Sequence, residues 1–231
     1  MTIEDPFALI ARTMNEQAHR PIARRRMSLY VALGDSFTAG TGCAPGEAWP
    51  ARLAAGLRAH NPSLAFRNLA VEGATSAQVL DQLPEAIELE PDLVTIVCGA
   101  NDVLNSTRPD ASAYARRLGA ILGRLQRANP AVRLVTATSP ERWDFLELGP
   151  RTRARVEGGI RRVNRATRVV ADAYRVPYLE VAGHPGLCEP ENFSHDGLHP
   201  SSLGHRRAAR GFGELVRDRC RIPVSIEGGT T

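Results

Sequence analysis

The chain has no lysine: all 29 of its Lys-plus-Arg positions are arginine. Arginine is the stronger phosphate-binding side chain. A nucleic-acid or acidic-substrate surface is therefore the first reading to weigh, and it is strongest at Arg24-Arg25-Arg26 and from Arg151 to Arg168. The scarcity of aromatics, 5% of the residues, argues against it. These arginines alternate with apolar residues at helical spacing and have no stacking rings between them, which is the pattern of a solvated helix face. No nucleic-acid partner is expected.

Long hydrophobic runs are also missing. No stretch approaches the roughly 20 apolar residues of a membrane span. The opening MTIEDPFALIARTMNEQAHR carries acidic residues and no long apolar core, so it does not read as a signal peptide. The apolar run after the triple arginine is too short for a twin-arginine export signal. Cysteine is sparse: Cys43, Cys98, Cys188 and Cys220 show neither CxxC nor Cys/His ligand spacing, so neither a metal nor a cofactor is implied. Cys98 closes the apolar run Leu93 to Cys98 and reads as a small buried hydrophobe, while the other three leave free thiols or one disulfide open. A cytoplasmic location with reduced thiols is the expectation.

What is present is an ordinary globular composition, 43% hydrophobic and 23% charged. With no Gly/Ser/Pro-rich linker, one domain follows. From Ser28 onward short apolar runs alternate with longer helical patterns, the signature of repeated β-α units and a parallel sheet. The expected strands are Leu29–Leu33, Leu64–Leu69, Leu93–Cys98, Leu134–Thr138 and Val176–Leu179. The expected helices are Trp49–Ala59, Ala77–Leu83, Ala111–Ala128, Arg153–Tyr174 and Ser202–Arg219. Five strands covered by helices on both faces predict a flavodoxin-like three-layer α/β/α sandwich. Residues 1–27 stand apart as an N-terminal extension, 28–222 as the domain, and 223–231 as a tail. Phe7, Leu9, Ile10 and Met14 can form one face of a short helix, which either packs on its own domain or serves as a homodimer arm or substrate-covering flap.

In open parallel sheets, ligands bind beyond the carboxyl ends of the strands. The first strand runs into Gly34-Asp35-Ser36-Phe37-Thr38-Ala39-Gly40 and the second into Asn68 to Ser76; Gly99-Ala100-Asn101-Asp102 follows the third, and Asp196-Gly197-Leu198-His199-Pro200 precedes the last helix. Ser36 is a helix N-cap or a nucleophile, and the second role needs a histidine to take its proton. His199 is the best candidate. Asp196, three residues earlier, can fold onto its Nδ1 proton, fix the tautomer and stabilise the imidazolium. Gly73 can present a backbone N–H at close approach, and the Asn101 carboxamide can donate without adding charge, as an oxyanion requires. Each residue alone has an equally good structural explanation; the ordered set of four does not.

GDS, the Asn/Gly loop, GxND and a carboxyl-proximal DxxHP, in that order over Leu29 to about Arg219, resemble the four signature blocks of the SGNH (GDSL) hydrolase superfamily. The resemblance implies a serine hydrolase acting on a small-molecule acyl ester or thioester. Ser36 would be nucleophile and, through its own N–H, oxyanion donor; Gly73 and Asn101 would complete the oxyanion hole, and Asp196 and His199 the triad. An acyltransferase using the same site, or a silent binding module, are the alternatives. The first block departs from GDSL at Phe37, a position that packs rather than reacts. Asp35 and Asp102 read as structural hydrogen-bond acceptors, His195 and His205 as surface or cap residues, and Thr38, Glu72 and Trp143 as candidate pocket-lining residues. Short connections, save Gly183 to Asp196, predict a preference for acyl groups of about two to six carbons.

Overall fold

The structure, a computed structural model, describes residues 27–44 and 46–226. The expected dimer arm or flap, including Phe7, Leu9, Ile10 and Met14, lies outside the described residues.

Five strands, β1 (Leu29–Gly34), β2 (Ala65–Asn68), β3 (Leu93–Val97), β4 (Arg133–Ala137) and β5 (Tyr178–Leu179), form one sheet in the order β2-β1-β3-β4-β5. Every pairing is parallel. The order reverses between β1 and β3, so the crevice expected of such a sheet opens where the first strand ends. In chain order the helices are α1 (Ser36–Ala39), α2 (Trp49–Arg58), α3 (Ser76–Asp81), α4 (Leu83–Glu88), α5 (Ala100–Leu104), α6 (Ala111–Ala128), α7 (Pro150–Ala173) and α8 (Ser202–Cys220), with two 3₁₀ turns, Pro185–Cys188 and Pro190–Asn192, before α8.

Alternation along the strands divides the core in two, because successive side chains point to opposite faces. Val31, Leu33, Val94 and Ile96 pack with Leu118, Leu122, Ile160 and Val163 of α6 and α7. Tyr30, Ala32, Val135 and Ala137 pack on the other face with Trp49, Leu53, Phe212 and Val216 of α2 and α8. This is the three-layer sandwich with a five-stranded parallel sheet that the β-α alternation predicts.

Helix α6 starts where Asp110 accepts from the N–H groups of Ser112 and Ala113, an N-cap that satisfies first-turn donors. Helix α7 begins three residues earlier than its apolar spacing indicates, because Pro150 suits the first turn, where a missing N–H costs nothing. The helix expected over Ala77–Leu83 is two short ones, broken around Gln82 before Pro84. After α8, Val224 is buried, and Ser225 donates to the Gly56 carbonyl of α2 at 3.0 Å. Among the described residues no helix is long and apolar enough to cross a membrane.

Candidate active site

The turn from β1 into α1 carries Ser36. Gly34 has a positive φ of +155°, and a Cβ there would sit 2.4 Å from the Val97 carbonyl oxygen and 2.6 Å from Thr38 Oγ1, so only glycine lets the strand end this tightly. Asp35 accepts from the Phe37 N–H at 3.1 Å and caps the single turn that follows. Ser36 heads that turn, so its own N–H is among the first-turn donors that have no intrahelical acceptor.

His199 arrives from the loop before α8. Its Nε2 lies 3.0 Å from Ser36 Oγ and its Nδ1 lies 2.6 Å from Asp196 Oδ2. The second oxygen of Asp196 accepts from Ser194 Oγ at 2.7 Å and from the N–H groups of Leu198 and His199, both at 2.9 Å. Burial alone would push the carboxyl up, but the His199 ring, these two N–H groups and the Ser194 hydroxyl outweigh it and hold Asp196 well below the usual carboxylate range. The group bonded to Nδ1 is therefore a stable anion, which favours the tautomer with its proton on Nδ1 and a lone pair on Nε2 toward Ser36.

Two more strand ends contribute. Gly73 follows β2 in an exposed turn closed by the Ala74 N–H to the Val71 carbonyl, and its φ of +73° favours glycine although a Cβ would meet nothing within 4 Å. Asn101 lies in the first turn of α5, after Gly99 at φ +118°, and donates from Nδ2 to the Ala74 carbonyl at 3.2 Å. That bond sets the carboxamide beside the Gly73 turn and leaves its second N–H for another acceptor. The structure thus brings Ser36, His199 and Asp196 into one hydrogen-bonded line and Asn101 against the Gly73 loop.

The neighbours fall into place unevenly. Asp35 and Asp102 are hydrogen-bond acceptors, as expected. Burial raises Asp35 to about 7, against the weaker lowering by the Phe37 N–H. Phe37 packs rather than reacts, stacked between Trp49 and His205 at centroid distances of 5.7 and 5.8 Å. His195 is exposed, as a surface position should be. His205 is not: it is fully buried, and bridges α8 to the loop after Ser36 by accepting the Trp49 N–H at Nδ1 and facing the Thr41 carbonyl with Nε2. Burial lowers its pKa, in keeping with a neutral ring of fixed tautomer. Thr38 and Trp143 are buried with the core and Glu72 is exposed.

Three contributors carry no local sequence signal. Gln82 grips Gly34 from both sides, its Oε1 accepting the Gly34 N–H at 3.0 Å and its Nε2 donating to the Gly34 carbonyl at 2.8 Å. At Gly42, φ +93°, a Cβ would lie 2.4 Å from the Pro200 carbonyl oxygen and 3.2 Å from His199 Cβ, so the loop after Ser36 runs directly against the histidine loop. At Gly197, φ +66°, a Cβ would lie 2.0 Å from the Phe145 carbonyl oxygen. The connection 138–149 is thus a second long loop. It is clamped onto Gly197 by Phe145, which packs on Phe193 at 5.0 Å, and pinned from behind by Arg153 to the Trp143 and Leu146 carbonyls.

Comparison with known proteins places the chain in a family and matches its fold. The family model described as GDSL-like Lipase/Acylhydrolase family matches residues 32–207. An arylesterase of Vibrio mimicus is 35% identical over 80 residues, which is 34% of this chain and 40% of that protein's length. Among solved structures, a lipase/acylhydrolase from Enterococcus faecalis superposes with a TM-score of 0.68 at 21% identity, covering 88% of this chain and 100% of that one. A psychrotrophic esterase from Pseudoalteromonas sp., inhibited by monoethylphosphonate, gives a TM-score of 0.68 at 18% identity over 84% of this chain and 99% of its own.

Proposed function

The chain belongs to the GDSL-like lipase/acylhydrolase family and is an SGNH-type esterase, and from that premise we propose that it cleaves esters or thioesters of short acyl groups through an acyl-enzyme on Ser36. The observation that carries this reading is the unbroken line from Ser36 Oγ through the His199 ring to Asp196, at 3.0 and 2.6 Å. As Ser36 Oγ bonds to the carbonyl carbon, its proton passes to His199 Nε2, and the Asp196 carboxylate stabilises the imidazolium. The carbonyl oxygen becomes an oxyanion that accepts from the Ser36 N–H, the Gly73 N–H and Asn101 Nδ2. Collapse expels the alcohol or thiol, which takes the proton back from Nε2. A water then repeats the sequence on the acyl-enzyme and frees the acid.

The short-acyl preference is supported by the two long loops near the site. The 185–192 segment is wound into two 3₁₀ turns, and the 138–149 loop is tied to Phe193, Gly197 and Arg153. Neither is left as a separate apolar cover for a fatty chain. All four cysteines are free thiols, which supports a reducing, cytoplasmic setting.

The test is a panel of p-nitrophenyl esters from acetate to palmitate, read beside labelling by an alkyl fluorophosphonate. Labelling at Ser36 and kcat/KM highest between about two and six carbons are expected. Higher kcat/KM on palmitate than on butyrate refutes the size preference. A labelled protein that releases product only when an acceptor alcohol is added is a transferase instead.

A further inference from the structure

Helix α3 is tied at both ends by side-chain hydrogen bonds, to Asp102 of α5 at its start and through its own C-cap residue Gln82 at its end, and both lead to the candidate site. At its start, Ser76 donates its N–H to Asp102 Oδ2 at 2.7 Å and its hydroxyl to Asp102 Oδ1 at 2.5 Å. The Asp102 side chain is 7% exposed and is backed by Arg117 at 3.4 Å. Asp102 adjoins Asn101, and Asn101 itself holds the Ala74 carbonyl, so the Gly73 loop and α5 are joined at two successive points. At the far end of α3, Gln82 closes a reciprocal pair of hydrogen bonds with Gly34, two residues before Ser36. The Gly34 carbonyl also accepts the Val71 N–H at 3.1 Å. Three strand ends are thereby tied to one rigid turn and a half of helix, about 9 Å long.

We propose that α3 is the strut that sets the spacing between the nucleophile and its oxyanion donors, with Asp102 and Gln82 as positioning residues at its two ends. The inference rests on the assignment of Ser36, Gly73 and Asn101 made above. Its physical basis is the steepness of the requirement: donors must lie about 2.7 to 3.1 Å from the point where the oxyanion forms. Gly73 has no crowding around it to hold it there, since a Cβ would meet nothing within 4 Å. The turn therefore takes its place from what it is bonded to: Ala74 to Asn101, and Ser76 to Asp102. Gln82 serves the other side. Its carboxamide acts as one peptide unit of a missing strand, holding the last residue of β1 at the height from which Ser36 emerges.

A merely structural role for these groups would lower stability and leave the folded enzyme unchanged, so the test is one of coupling. kcat per active site, titrated with a fluorophosphonate, is measured on p-nitrophenyl acetate for Ser76→Ala in the wild-type and Asn101→Ala backgrounds. We expect a loss of about tenfold in the first and less than about twofold in the second, with KM little changed, because groups in one network are not additive. Gln82→Met should slow fluorophosphonate labelling of Ser36 by a similar factor. Should Ser76→Ala not fold, Asp102→Asn serves in its place; it keeps one acceptor oxygen and loses the Arg117 ion pair. Equal losses in both backgrounds, or wild-type kcat and labelling rate in both variants, overturn the strut. Failure of the wild type to be labelled at Ser36 overturns the nucleophile assignment, and the strut with it.

Discussion

The Nδ1 atom of His199 lies 2.6 Å from Oδ2 of Asp196 while the other carboxylate oxygen receives three donors, so Asp196 is saturated as an anion in a loop that is half open to water. Asp196→Asn keeps the size and can still receive the backbone N–H groups, but offers Nδ1 a donor or a neutral acceptor. Turnover should fall by about 10² to 10⁴, the range expected when the histidine tautomer is no longer held. A carboxyl held low stabilises the fold above the ordinary carboxylate pKa, and that contribution is lost as pH falls through its lowered value. The melting-temperature gap between wild type and Asp196→Asn should therefore narrow below about pH 4.

Ser36→Ala should abolish both turnover and fluorophosphonate labelling while the melting temperature stays near wild type, since alanine fits the same turn. His199→Ala should do nearly as much, and the double variant little more, because the two act as one unit. Labelling that persists in Ser36→Ala removes the nucleophile assignment.

Asn101→Ala should lower kcat by about 10² to 10³ with KM nearly constant, as for the loss of one preorganised donor, roughly 3 to 4 kcal/mol. Asn101→Asp should be as poor or worse, since a carboxylate would face both the oxyanion and the Ala74 carbonyl. If Asn101 only braces Ala74, both variants will melt earlier while kcat of the folded fraction stays normal.

Asp35 is raised by burial, to about 7, so its neutral form suits the fold and its charged form does not. Its stabilising contribution is complete below the unfolded value, near 4, and is lost as pH rises through 7. Asp35→Asn can still accept the Phe37 N–H. It should match wild-type stability at pH 4 and exceed it above pH 7, by an amount on the order of a few kcal/mol. Urea midpoints taken at pH 4, 6 and 8 check this, and a difference that does not grow with pH counts against it.

Gly197→Ala and Gly73→Ala make a controlled pair. Both positions have positive φ, +66° and +73°, which costs an L residue about 1 to 2 kcal/mol. Only at Gly197 would the new Cβ also strike a carbonyl, 2.0 Å away at Phe145. Gly197→Ala should therefore melt well below Gly73→Ala and, by moving the loop that carries Asp196 and His199, lose more than about tenfold in kcat. Equal melting temperatures for the two would show that the Phe145 contact yields freely.

What could be read without coordinates was whatever is written locally. Ala111–Ala128 is legible because one apolar stripe at helical spacing specifies it, and β1 and β3 because buried parallel strands are continuous apolar runs. Ser36, Gly73, Asn101, Asp196 and His199 could be singled out because each sits at a strand end or helix start, in a fixed order. The edge strand β5 shrinks to Tyr178–Leu179 because half its backbone has no neighbour, which no propensity records. Only the tertiary structure decided the rest. Gln82 finds Gly34 48 residues away, and His205, with nothing around it in sequence to mark it as interior, is buried because Trp49 and Thr41 reach it from 156 and 164 residues away. Gly42 and Gly197 are required by carbonyls of loops remote in the chain. A local pattern can announce which side chain has the chemistry, but the distance between two such groups is set by packing among segments that meet only when the chain is folded.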